Sequence, residues 1–122
     1  MTPEAFNQRI REIILAKYPK ASVSMMLGFH GKSEAHYVEE HEGKLLFVGP
    51  TGKIPLLECG APRWSFTVFF PEDGHHPFMP RGSIVVHPKT VAAKRNDFAE
   101  RMGKALLKSV AEHLARAARG GP

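Results

Sequence analysis

The chain has 122 residues, 43% of them hydrophobic and 24% charged, and a net charge of +5 at neutral pH. That length suits one domain (residues 1–122) with one core, in a composition ordinary for a globular protein. No apolar run approaches the roughly 20 residues that span a bilayer, so no membrane partner is expected. Cys59 stands alone, which excludes an internal disulfide. With an amino terminus lacking the pattern of a secretory signal, the expected setting is cytoplasmic. Residues 1–62 carry seven Lys or Arg and seven Asp or Glu, whereas residues 63–122 carry ten and five. Such a one-sided basic field favours an anionic partner, nucleic acid or an acidic protein surface, without choosing between them.

Thr2-Pro3-Glu4 opens a helix with a capping hydroxyl, a proline at the first helical position and an acid in the first turn. Phe6, Ile10, Ile13 and Ile14 recur at helical spacing while Gln8, Arg9 and Glu12 face away; Tyr18-Pro19 ends the helix. No chemistry is read on it. From Ala21 the period switches to two, Val23, Met25, Leu27 and Phe29 alternating with Ser22, Ser24, Met26, Gly28 and His30 in a half-buried strand. A turn at His30-Gly31-Lys32-Ser33 leads into a strand over about residues 34–40. His41-Glu42-Gly43-Lys44 then reverses the chain, with Gly43 in the left-handed position.

Residues 45–48 and 54–58 are the next strands, the second short and at an edge because Pro55 has no N–H for a ladder. The strongest strand is 63–70, with Trp64, Phe66, Val68 and Phe70 on one side and Ser65, Thr67 and Phe69 on the other. A long loop at 71–82 precedes a last short strand at 83–87. Residues 96–119 form one long amphipathic helix in which Phe98, Ala99, Met102, Leu106, Leu107, Val110, Leu114 and Ala117 share a side. Asp97 and Glu100 suggest a capping box; an earlier start at Thr90 is the lesser alternative, because it would set Lys94 and Arg95 against the positive end of the helix dipole. Gly103, inside the apolar side, reads as a notch that admits another element, because a mid-helix glycine costs about 1 kcal/mol against alanine. A dimer contact through the notch is the lesser reading.

The order helix, strands, helix predicts an α+β two-layer sandwich. Its antiparallel sheet is a meander of five to six strands, with the N-terminal and the long C-terminal helix packed on one face. The opposite face would show Ser22, Ser24, Met26, His30, Ser65, Thr67 and Phe69.

Two candidate binding surfaces follow. Arg101, Lys104, Lys108, Arg116 and Arg119 occupy the polar side of the last helix, with Lys94 and Arg95 just before it. Such a row suits a phosphate backbone, where each neutralised phosphate releases counterions. A solvated charged face explains the same residues. Asp97 precedes Arg101 by four, Glu100 precedes Lys104 by four, and Glu112 is within four of Lys108 and Arg116. On the sequence alone that plainer reading weighs more. The second surface is the loop 71–82, which presents His75, His76, Phe78, Met79 and Arg81; a partner-binding tip and a flap folded on the core both fit it.

Neither metal nor cofactor is expected. His36, His41, His75 and His76 are interspersed with acids, but no spacing converges their rings on one point. Cys59 has no histidine base near it, and the adjacent Glu39 and Glu40 face apart, so no catalytic residue is assigned. Gly49-Pro50-Thr51-Gly52-Lys53 resembles part of a phosphate loop, yet Ile54 replaces the magnesium-binding hydroxyl and a strand follows. The strand at 63–70 has Ser65 and Thr67 where RNA-recognition modules stack bases. The element order is similar to that of double-stranded-RNA-binding domains. Pro88-Lys89-Thr90 with Lys94-Arg95 matches that family's lysine-rich helix opening only loosely, and the extra strands exceed its plan.

The leading expectation is a non-enzymatic binding protein whose basic C-terminal half contacts an anionic partner, nucleic acid first. A protein–protein module, inhibitor or adaptor, using the polar sheet face and the 71–82 loop comes second, and a histidine-centred enzyme third.

Overall fold

The computed structural model describes residues 1–28, 37–49, 52–60, 63–71, 80–93 and 97–120. Helix α1 spans Pro3–Lys17. The Thr2 hydroxyl accepts from the Ala5 N–H at 3.1 Å, and Pro3 sits where its missing N–H leaves no bond unmade. Tyr18 closes the helix by donating its N–H to the Ile14 carbonyl at 2.8 Å. Strands β1 (Ser22–Gly28), β2 (Tyr37–His41), β3 (Lys44–Gly49) and β4 (Gly52–Pro55) follow, then a single tight turn at Leu56–Glu58. Next come β5 (Arg63–Phe69), β6 (Ser83–Val86), a short helix α2 (Pro88–Ala93) and the long helix α3 (Asp97–Gly120). A separate helix before α3 was not expected from the sequence, which offered only an earlier start of the last helix at Thr90. Helix α2 opens on Pro88, whose fixed φ suits a first helical position.

The strands form two antiparallel three-stranded sheets, ordered β1-β5-β6 and β2-β3-β4, and not the single five-to-six-stranded meander expected. The reason lies in β5. Strand β1 pairs with it along its whole length, from Ser22 opposite Phe69 to Gly28 opposite Arg63. That register sets Val23, Met25 and Leu27 beside Val68, Phe66 and Trp64 on one face. Neighbours in sequence usually pair, but β2 is shorter and carries Glu39-Glu40 at its centre. Matching the two seven-residue strands of like pattern buries more apolar surface.

Strands β2 to β4 make a small meander of their own, with Pro55 on its edge strand. The β2–β3 turn holds Glu42 at φ 50° and Gly43 at φ 78°. Two consecutive left-handed residues are the requirement of a two-residue type I′ hairpin, whose twist matches that of the flanking strands. Gly43 adopts that conformation freely, whereas Glu42 has a Cβ to accommodate.

Both long helices pack on the Phe66 side of β5. Phe6 of α1 meets the Phe66 ring edge-on with centroids 5.6 Å apart, and stacks on Phe98 of α3 at 5.7 Å. Around this trio Ile10, Ile14, Trp64, Val68, Leu106 and Val110 are fully buried, while Leu45 and Phe47 of β3 and Leu56 of the turn after β4 bring the second sheet and its exit into the same cluster. Fully burying each such side chain contributes roughly 1.5–3 kcal/mol. Met102, expected in the core, is half-buried at its margin. The Trp64 indole N–H has no acceptor among the described residues.

The notch at Gly103 is filled by Ile13 of α1. A Cβ built there would lie 3.0 Å from Ile13 Cγ2, and closer still to Ile13 Cδ1. Burial along α3 stops at Val110: residues 111, 112 and 114–119 are exposed. Leu114 and Ala117, placed on the apolar side by their spacing, therefore lie beyond the core. On the face of β1-β5-β6 turned away from the helices, Met26 and Val85 flank Ser65 and are 56% and 53% exposed. Thr67, central in that sheet, is buried, and His30 lies outside the described residues. No helix among the described residues is long and apolar enough to cross a membrane.

Candidate functional site

Helix α3 arranges its cations in a row because a residue turns by about 100° at each step. Arg101, Lys104, Lys108 and Arg119 then fall within about 60° of one another, and Arg116 about 80° from Lys108. All five are exposed. From Arg101 to Arg119 the row is about 27 Å long at 1.5 Å per residue. The Arg101 guanidinium rests over the Phe98 ring, 5.7 Å from its centroid. Further along, the small side chains of Ala111 and Ala115 leave an open, shallow depression between Lys108, Arg116 and Arg119, with Glu112 also beside it.

The acids that dilute this row in sequence are differently disposed in space. Glu100 does not serve Lys104 as a close partner. Its carboxylate accepts from Arg9 Nε and, at 3.1 Å, from Arg9 Nη2, in a two-pronged bridge between α1 and α3. The Arg9 bond holds the Glu100 carboxyl below the usual carboxylate range, and the bonds to Glu100 and Glu12 push the Arg9 guanidinium further up. The capping role expected of Glu100 is thus replaced by an interhelical one. Lys108, Arg116 and Arg119 form no ion pair with any described residue.

Lys94 and Arg95 lie outside the described residues, as do His75, His76, Phe78 and Met79. Arg81 is not at a loop tip: its N–H donates to the Val68 carbonyl at 2.8 Å, and the Val68 N–H to the Gly82 carbonyl at 2.9 Å, extending the β5–β6 ladder. That end of the ladder is tied to α3, since the Ser109 hydroxyl accepts from the Ser83 N–H at 3.1 Å. One turn on, His113 donates its Nδ1–H to the Ser109 carbonyl at 2.8 Å. Among the described residues no three His, Cys, Asp or Glu side chains gather as a metal-binding set. His41 is exposed beside Glu42 at 3.8 Å, and His36 lies outside the described residues.

A second site was not anticipated. Two adjoining hollows of about 250 and 210 Å³ open between α1 and the edges of β1, β2 and β3, and share Asn7, Arg11, Glu40 and Leu45. Glu4 closes one end, its carboxylate accepting from the Leu45 N–H at 3.0 Å. Ser24 lines the other. Glu39 and Glu40 do face apart, as period two requires. Glu39 takes Lys53 at 2.8 Å, which lowers its pKa, and Glu40 turns to the hollow. Asn7 is only 8% exposed, yet its amide makes no hydrogen bond with a described residue. The sequence signal for this site was faint: Asn7 and Arg11, four apart on α1, look like any solvated helix side until β2 and β3 are set against them.

Comparisons with protein-family models, with curated proteins and with solved structures found no match to this chain.

Proposed function

We propose that the protein binds an anionic macromolecule, nucleic acid, along the outer face of α3. The observation that carries this reading is the release of the cation row from internal pairing. Lys108, Arg116 and Arg119 have no ion-pair partner among the described residues, and Glu100 is engaged by Arg9 on the neighbouring helix. Cations with no partner of their own give up little when they exchange water and counterions for phosphates. Their span of about 27 Å equals the axial rise of about eight base pairs at 3.4 Å each. Sequence preference is no part of the proposal, because phosphate contacts position a protein without reading bases.

Charge reversal at two exposed positions tests it. Lys108→Glu with Arg119→Glu should weaken binding to a duplex by about tenfold or more at moderate salt, while the melting temperature holds because neither side chain reaches the core. Equal binding by wild type and the double variant would refute the proposal.

A second reading, a protein–protein module, draws support from Met26 and Val85, exposed on either side of Ser65 on the sheet face turned away from the helices. On that reading Met26→Asp abolishes partner binding and the charge reversal on α3 leaves it intact.

A further inference from the structure

We infer that the cleft between α1 and the β1, β2 and β3 edges is a binding site for a small zwitterion of the α-amino-acid class. Three features point there together. Asn7 sits at the base, 8% exposed and without a hydrogen-bond partner among the described residues. Its helix neighbours Phe6, Ile10 and Ile14 are all core residues. Asn7 lines both hollows, so its amide offers two donors and an acceptor to whatever occupies them.

Arg11 and Glu40 stand on facing walls, one from α1 and one from β2, and neither forms an ion pair with a described residue. Unpaired charges of opposite sign on the two walls of one hollow fit a ligand that carries both signs. The guanidinium fork receives a carboxylate, the Glu40 carboxylate receives an ammonium, and Asn7 bonds to either group. The apolar part of the wall, Met25, Val38 and Leu45, suits a short aliphatic side chain. Hollows of about 250 and 210 Å³ hold a molecule of amino-acid size.

The two-sign requirement makes the test sharp. L-leucine, L-valine and L-methionine, titrated to about 10 mM against the full chain, should raise its melting temperature and perturb amide resonances of α1 and β2, with Kd of about 1 mM or tighter. N-acetyl-L-leucine lacks the ammonium and L-leucinamide lacks the carboxylate. Each should bind at least about tenfold more weakly than leucine. Arg11→Gln and Glu40→Gln, both at exposed positions, should keep the wild-type fold and each lose leucine binding by a similar factor. Two results would overturn the inference: no response to any of the three amino acids, or binding of N-acetyl-L-leucine or L-leucinamide as tight as that of leucine. The nucleic-acid assay on α3 uses different residues, so either proposal can fail alone.

Discussion

Replacing Gly103 with alanine sets two known effects against each other. Helix propensity alone predicts that the variant is more stable by about 1 kcal/mol, since α3 gains its best helix former in place of one of its worst. Packing predicts the opposite. The new methyl group would sit 3.0 Å from Ile13 Cγ2 and 3.2 Å from Ile13 Cβ, and nearer still to Cδ1. Cδ1 can swing aside, but Cβ moves only with the backbone of α1, and Cγ2 only by leaving the one χ1 rotamer that a β-branched residue strongly prefers in a helix. Forcing a methyl group into a packed helix crossing costs about 1–3 kcal/mol. The net is a loss of about 1 kcal/mol, or a fall of about 4 °C in melting temperature for a chain of this size. Trp64, the sole tryptophan and fully buried, reports unfolding directly in a urea titration. The midpoint should fall with no change in slope. Combining Gly103→Ala with Ile13→Val, which removes the nearest atom, should recover part of the loss as a positive coupling of about 0.5 kcal/mol or more. If Gly103→Ala is more stable than wild type, α1 does not seat in the notch and the account of the helix pair is wrong.

Two further predictions concern local chemistry. Glu42→Asn should stabilise the protein by about 0.5–1 kcal/mol, because asparagine tolerates the left-handed conformation that glutamate holds at φ 50°; a lower melting temperature in the variant counts against a type I′ turn. Glu100 has a folded-state pKa depressed by its bond to Arg9, so the bridge contributes fully above the unfolded value and is lost as pH falls through the folded one. Wild type should therefore weaken as pH drops below about 4.5, and Glu100→Gln should be less stable at neutral pH with a shallower acid loss. Part of that acid loss should persist in the variant, since Glu39 beside Lys53 titrates in the same sense. Identical acid profiles would remove the bridge from the stability account.

What could be read from the sequence was what is decided locally. Thr2, Pro3 and Pro19 bracket α1, and the 3.6-residue period carries α3 almost to its observed ends. Even the notch at Gly103 was legible, because a glycine amid apolar helix positions needs a reason. Pairing was not, since β1 chooses β5 across the whole β2–β4 insertion, and strand period reveals faces but not partners. The same limit hid the site chemistry. Glu100 stands four residues from Lys104, yet its carboxylate goes to Arg9, 91 positions away in the chain. The Leu114 end of α3 had the right spacing for burial, but no described element packs over it. Asn7 and Arg11 became a candidate site only when a second sheet formed their opposite wall.

The most direct measurement of the central claim is the affinity of the full chain for a short DNA duplex across a series of salt concentrations. If the α3 row contacts phosphates, log K falls linearly with log salt, with a slope of roughly −0.9 for each phosphate neutralised. Engagement of Arg101, Lys104, Lys108 and Arg119 gives a slope near −3 to −4, and the double glutamate variant flattens it by about two contacts. A slope near zero, or one unchanged by the substitutions, would contradict the account and leave α3 with a solvated face.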